Sequence, residues 1–220
     1  MISKFLILIF LLTNINSVRA ENNSNNSIKS FTQSLTDTLN KTFNKTETET
    51  KIETESILNE KNNQIFKNQN TNIILNKFFT NYGLVGEVNY THLFWDLYDA
   101  KLITETGNFD KNKFALTLKY NTKISKKSVV KETLNQLKKQ KEYTDEELVE
   151  LTTLLNNTFK KIEVGDTFIG IKENDTAYFY FENEKVLETE DLEFINLFFD
   201  IWLRQDSQNP AFTKKLLGQK

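Results

Sequence analysis

Cysteine is absent from this 220-residue chain, and the chain holds only one proline, six glycines and one histidine. Without cysteine there is no disulfide and no thiol for lipid attachment, so stability comes from the core alone. With so few glycines, no glycine-rich loop is available to cradle a phosphate. The lone histidine, His92, would have to sit in any histidine-based dyad or triad. Arginine is nearly missing, with only Arg19 and Arg204, and the 28 basic residues do not exceed the 30 acidic ones. That balance offers no excess of positive charge to attract a phosphate backbone, which excludes nucleic acid as an expected partner. No serine or lysine stands in a recognisable nucleophile setting. A metal site is not expected either, because such a site normally gathers three or four ligands and the softest ones are missing. The sequence therefore calls for no cofactor and no metal.

The longest early apolar run is Phe5–Leu12, far short of the roughly 20 residues a membrane helix requires. It follows Lys4 and precedes a polar stretch in which Val18 and Ala20 are the small residues of a cleavage site. Residues 1–20 therefore read as a secretory signal cut between Ala20 and Glu21, which makes the protein exported, periplasmic or secreted. Removing Lys4 and Arg19 leaves 26 basic against 30 acidic residues, a net charge of −4.

Residues 21–71 are a different material from the rest. Asn, Thr, Ser, Lys and Glu dominate, and there is too little apolar surface to offset the entropy of ordering the chain. This segment is expected to be a polar tether, disordered or weakly helical. Ile28, Phe31, Leu35, Leu39 and Phe43 recur at helical spacing and form a thin apolar stripe. That stripe is an alternative docking element for an envelope protein, which would make the protein a scaffold. Threonine is a poor helix former, so only a fraying helix is expected there.

From about residue 72 aromatic and aliphatic residues become dense, and residues 72–220 read as one domain. A domain of about 150 residues can bury roughly 70% of its unfolded surface, enough for an independent core. Residues 84–104, LVGEVNYTHLFWDLYDAKLIT, carry the β-formers of a long strand or a bent pair. KFALTLKY at 113–120 is a further strand with Phe114, Leu116 and Leu118 on one face. Two helices follow. Ser125 opens the first, and Thr144 with Glu147 forms a capping box at the start of the second. Asp145 to Glu147 suit the positive end of that helix, a structural reason for an acidic run.

A three-strand meander comes next, with asparagine at its turns, Asn174 and Asn183, where left-handed backbone is needed. EDLEFINLFFDIWL then reads as an apolar helix. Asn209 caps a last short helix, Pro210 occupies its first position, and Gly218 closes it. The single proline is structural. Strands without regular β-α alternation give an α+β fold, an antiparallel sheet with helices packed on one face.

The order of VGEVNYTHLFWDLYDAKLIT, FALTLKY, VGDTFIGI, FINLFFDIWL and NPAFTKKLLG over residues 82–218 resembles the bacterial chalcone isomerase-like proteins. The resemblance implies that family's layered fold and two roles, cyclisation of a chalcone or carriage of a fatty acid. The family's arginine follows the glycine of the early strand, where it stabilises an oxyanion or holds a carboxylate. Here the matching stretch is Gly86-Glu87-Val88, so the cation is replaced by an acid. Chalcone cyclisation is therefore not expected, and no catalytic residue is assigned.

On an extended strand His92 and Asp96 share a face with Tyr90, Phe94 and Tyr98. Tyr90, His92, Asp96 and Tyr98 are the candidate ligand-binding residues at a pocket mouth. The plainer alternative is that they decorate a solvated sheet face. Leu93, Trp95 and Leu97, on the opposite face, are expected in the core, and Trp202 is expected to pack. The favoured function is non-catalytic binding of a small apolar ligand, an acyl chain included. An isomerase or lyase using Tyr90, Tyr98 and His92 is the alternative.

Overall fold

The computed structural model describes residues 25–219, apart from 93 and 208. The expected signal and its cleavage point at Ala20 and Glu21 lie outside the described residues. The chain divides into two compact units between Asn59 and Glu60.

Helix α1 runs from Asn25 to Phe78, 54 residues without a break. It passes through the segment read as disordered or weakly helical and beyond the expected boundary at residue 71. No glycine or proline interrupts it. Its threonines fold their hydroxyls back onto the helix: Thr38, Thr42, Thr46, Thr50 and Thr54 each donate to the carbonyl four residues earlier at 2.8–2.9 Å. In the first unit, Leu35, Leu39 and Phe43 of the apolar stripe are exposed.

In the second unit six strands follow in order: β1 (Gly83–His92), β2 (Trp95–Thr104), β3 (Lys113–Tyr120), β4 (Thr167–Glu173), β5 (Thr176–Phe181) and β6 (Glu184–Thr189). Each pairs antiparallel with its sequence neighbour in a single sheet. Helices α2 (Lys126–Lys138) and α3 (Asp145–Thr158) are inserted between β3 and β4, and α4 (Leu192–Leu203) and α5 (Pro210–Leu216) follow β6. The architecture is α+β, as the sequence indicates.

The helix caps form as read. Ser125 accepts from the Ser128 N–H, Thr144 and Glu147 close a reciprocal box, and Asn209 accepts from the Phe212 N–H with Pro210 in the first turn. Gly218 is left-handed at φ +67°. At the meander turns the left-handed residues are Asn174 and Glu182, φ +56° and +57°. The second turn thus uses Glu182 rather than the expected Asn183. Its carboxylate accepts the Thr167 N–H at 2.6 Å, which fastens the turn to the neighbouring strand.

The main core lies on the sheet face covered by α2 to α5. Leu102, Phe114, Leu116 and Phe168 meet Leu137, Leu155, Ile195 and Phe198 there. Five phenylalanines, 168, 179, 194, 198 and 199, form a connected ring cluster with centroids 4.9–6.3 Å apart. Burying one such ring stabilises by roughly 1.5–3 kcal/mol. A second core covers the opposite face. There the last turns of α1, and Phe79 directly after them, place Ile74, Leu75 and the Phe79 ring on Ile103, Ala115, Ile169 and Ile171. Helical cover on both faces explains why β3 and β4 are buried almost continuously rather than alternately.

Candidate functional site

One cavity in the second unit has the size and lining of a ligand site. It measures about 740 Å³ and lies between the β1–β2–β3 ends of the sheet, α2 from Ser128 to Gln136, and the α4–α5 corner. Its sheet wall is aromatic because the register stacks tyrosines. Tyr90 pairs with Tyr98, and Tyr98 pairs with Tyr120 across the next ladder. The Tyr90 and Tyr98 rings are stacked at 5.0 Å, Tyr120 meets Tyr98 edge-on at 5.9 Å, and Phe212 meets Tyr90 edge-on at 5.6 Å. Leu97, Leu118, Val129 and Ile201 complete the apolar lining.

Few polar groups converge on this wall. Trp202 Nε1 donates to the Tyr98 hydroxyl at 3.0 Å. The Trp202 backbone carbonyl accepts from Thr213 Oγ1, also at 3.0 Å, so the residue is tied to α5 through its main chain and to the sheet through its indole. Trp202 both packs, as expected, and lines the cavity. Burial pushes the Tyr98 and Tyr120 phenols up; at Tyr98 the Trp202 hydrogen bond opposes this. Burial also raises Tyr90, with the Glu132 carboxylate adding to it. At neutral pH the tyrosines of this wall are neutral hydrogen-bonding groups. The charged groups lining the cavity are Lys123, Lys131 and Glu132, all exposed.

These phenols give a direct check. Because their folded pKa values exceed the unfolded one, the stability they contribute is present below pH 10 and lost as pH rises through the folded values. In an absorbance titration at 295 nm, two of the seven tyrosines should ionise only as the fold opens. Seven reversible, unfolding-independent ionisations would contradict the buried wall.

The four candidate residues separate into two pairs. Tyr90 and Tyr98 line the cavity. His92 does not; it is exposed at the end of β1, opposite Trp95. Asp96 is on the other side of the sheet, where Oδ1 accepts from Asn89 Nδ2 at 2.8 Å and Asn121 Nδ2 at 3.0 Å. The same two amides bond Asp99, at 2.9 and 3.2 Å. Hydrogen bonds from Asn121 first and Asn89 second hold the Asp96 carboxyl below its usual range.

The separation has a local cause. The β1–β2 register slips between Tyr90 and Thr91, so Leu97 is an extra residue and the alternation reverses beyond it. Asp96 thereby joins Asp99, while Leu97 and Trp95, expected in the core, line the cavity instead. Trp95 is 66% exposed. Leu93 lies outside the described residues.

Glu87, which stands where the resemblance leads one to expect an arginine, does not line the cavity. It faces its cross-strand partner Lys101 and pairs with it at 3.0 Å. Gly86 beside it has a structural duty. A Cβ there would lie 2.2 Å from the Lys215 carbonyl oxygen and 2.4 Å from that of Leu216. Sequence reasoning missed Tyr120, Phe212 and the α2 side of the cavity. Only the register and the packing of α2 and α5 bring them together.

No protein-family model matches the chain. No curated protein matches it either. Among solved structures it is similar to a fatty-acid binding protein of Arabidopsis thaliana, at 15% identity over 63% of this chain and 85% of that one, with a TM-score of 0.44.

Proposed function

We propose that this chain is an exported, non-catalytic binding protein of the chalcone isomerase-like kind, which holds a small apolar ligand such as an acyl chain in the Tyr90–Tyr98 cavity. The observation that carries the reading is the cavity itself, about 740 Å³, with aromatic and aliphatic side chains on its sheet wall and polar residues toward α2 and the α4–α5 corner. Its polar groups favour holding over transforming. The phenols are neutral and already engaged with ring neighbours, the lone histidine is elsewhere, and the carboxylate on the lining, Glu132, is solvated. Proton abstraction needs a base within reach of the reacting atom, and the isomerase alternative loses its histidine. The scaffold alternative retains one supporting feature, the exposed Leu35, Leu39 and Phe43 on α1.

Val129 lines the cavity from α2. Filling the space with Val129→Trp should weaken binding of the neutral apolar fluorophore N-phenyl-1-naphthylamine at least tenfold. The midpoint of thermal unfolding should change little, since overpacking at a half-open site costs no more than about 1–3 kcal/mol. Native mass spectrometry of the detergent-free full chain should in addition show a mass that denaturation releases. A bare chain that also fails to bind the fluorophore would sink the reading.

A further inference from the structure

We propose that the β1–β2 hairpin tip and the lysine-bearing rim of the cavity form a docking surface for a bilayer containing anionic lipids. At the tip, Phe94 is fully exposed and Trp95 is 66% exposed, the two most exposed aromatic side chains among those described in the second unit. Trp95 is not a stray surface residue, because it also lines the cavity, as do Lys123 and Lys131. Lys127 stands one helical turn before Lys131 on α2, also exposed.

The counter-charges are limited. Glu132 lies beside Lys131, and Glu163 is shared between Lys123 at 3.1 Å and Lys161 at 2.6 Å. Asp96 and Asp99 are tied to Asn89 and Asn121 on the other side of the sheet. A tip of Phe and Trp flanked by lysines matches the two halves of a lipid interface. Aromatic rings settle at the headgroup level, and ammonium groups are drawn to anionic headgroups.

Docked this way, the cavity mouth meets the bilayer at the depth where an apolar ligand leaves its lipid surroundings. That use rests on the binding reading above; the docking itself rests only on the tip and the rim.

The test uses full-length Trp202→Phe, in which Trp95 is the only remaining tryptophan. Vesicles are 70% phosphatidylcholine and 30% phosphatidylglycerol, with or without brominated acyl chains, against phosphatidylcholine alone. On the anionic vesicles, Trp95 emission should move to the blue and be quenched by bromine. Lys123→Glu with Lys131→Glu should weaken vesicle binding at least tenfold. Should Trp202→Phe fail to fold, Phe94→Cys carrying an environment-sensitive dye reports the same insertion, the chain having no other thiol.

Unchanged Trp95 emission on anionic vesicles overturns the proposal, even if the chain sediments with them through its N-terminal apolar run. Concentration-dependent burial of Trp95 without vesicles would assign the tip to a second copy of the chain and overturn it too. Binding of N-phenyl-1-naphthylamine in vesicle-free buffer reads the other claim separately. Insertion without fluorophore binding leaves the docking standing and removes the cavity reading; fluorophore binding without insertion does the reverse.

Discussion

Gly86→Ala should be among the most damaging single substitutions in the second unit, lowering stability by several kcal/mol and leaving little folded protein at 37 °C. The added Cβ would meet two backbone oxygens, Lys215 O at 2.2 Å and Leu216 O at 2.4 Å. Backbone cannot swing aside as a side chain can, so β1 and the end of α5 must part. Parting them uncovers Leu216 and Leu217, both buried, and releases Gly218, whose left-handed turn packs against Val85 O. It also loosens Phe212, which meets Tyr90 edge-on at the cavity wall.

The contrast is Gly170→Ala, where the close neighbours are ring atoms of Phe199 at 2.8 Å and Phe179 at 3.2 Å. Those rings have some freedom to tilt, so a smaller loss of about 1–3 kcal/mol is expected. Urea unfolding of the two variants beside the parent checks the order. Equal midpoints for Gly86→Ala and the parent would mean that α5 does not seat on β1 as described.

Much of this architecture was legible because local signals and tertiary structure agree. The capping box at Thr144 and Glu147, the Asn209–Pro210 helix start and the Gly218 stop are each satisfied by atoms within a few residues. The site was less legible for a physical reason. Strand parity is a property of the pair, and the bulge at Leu97 leaves no mark in composition. Reading an unbroken alternation put His92 and Asp96 beside Tyr98, and a single extra residue sent Asp96 to the other face. The tyrosines survived that error because they lie on the side of the bulge where the register still holds. Helix α1 was not legible as one element: the polar composition of residues 21–71 reads as a tether, and no local signal shows that a helix through that segment runs on to Phe78, inside the apolar stretch that supplies Ile74 and Leu75 to the core.

That end of α1 leads to the second large effect. A chain beginning at Glu60 should fold, whereas one beginning at Thr80 should not. Residues 60–79 contribute Ile74, Leu75 and Phe79, each at most 1% exposed, to the second face of the sheet. Lys67 adds an ion pair with Asp166 at 2.6 Å, partly shielded from water, in the loop before β4. Removing them lays bare Ile103, Ala115, Ile169 and Ile171 on the central strands. Truncating even one buried Leu or Ile typically costs about 2–5 kcal/mol, so losing three large residues exceeds the roughly 5–15 kcal/mol margin of an ordinary domain or comes close to it. The bared face is also a flat apolar sheet, which favours association over refolding.

None of the described side chains before Glu60 belongs to either core, so removal of the segment should leave the unfolding midpoint within a few degrees of the parent. Circular dichroism melts and size-exclusion profiles of the two truncations decide the matter. A soluble, cooperatively folded chain starting at Thr80 would show that the helix end is an accessory, and that the sheet closes its second face without it.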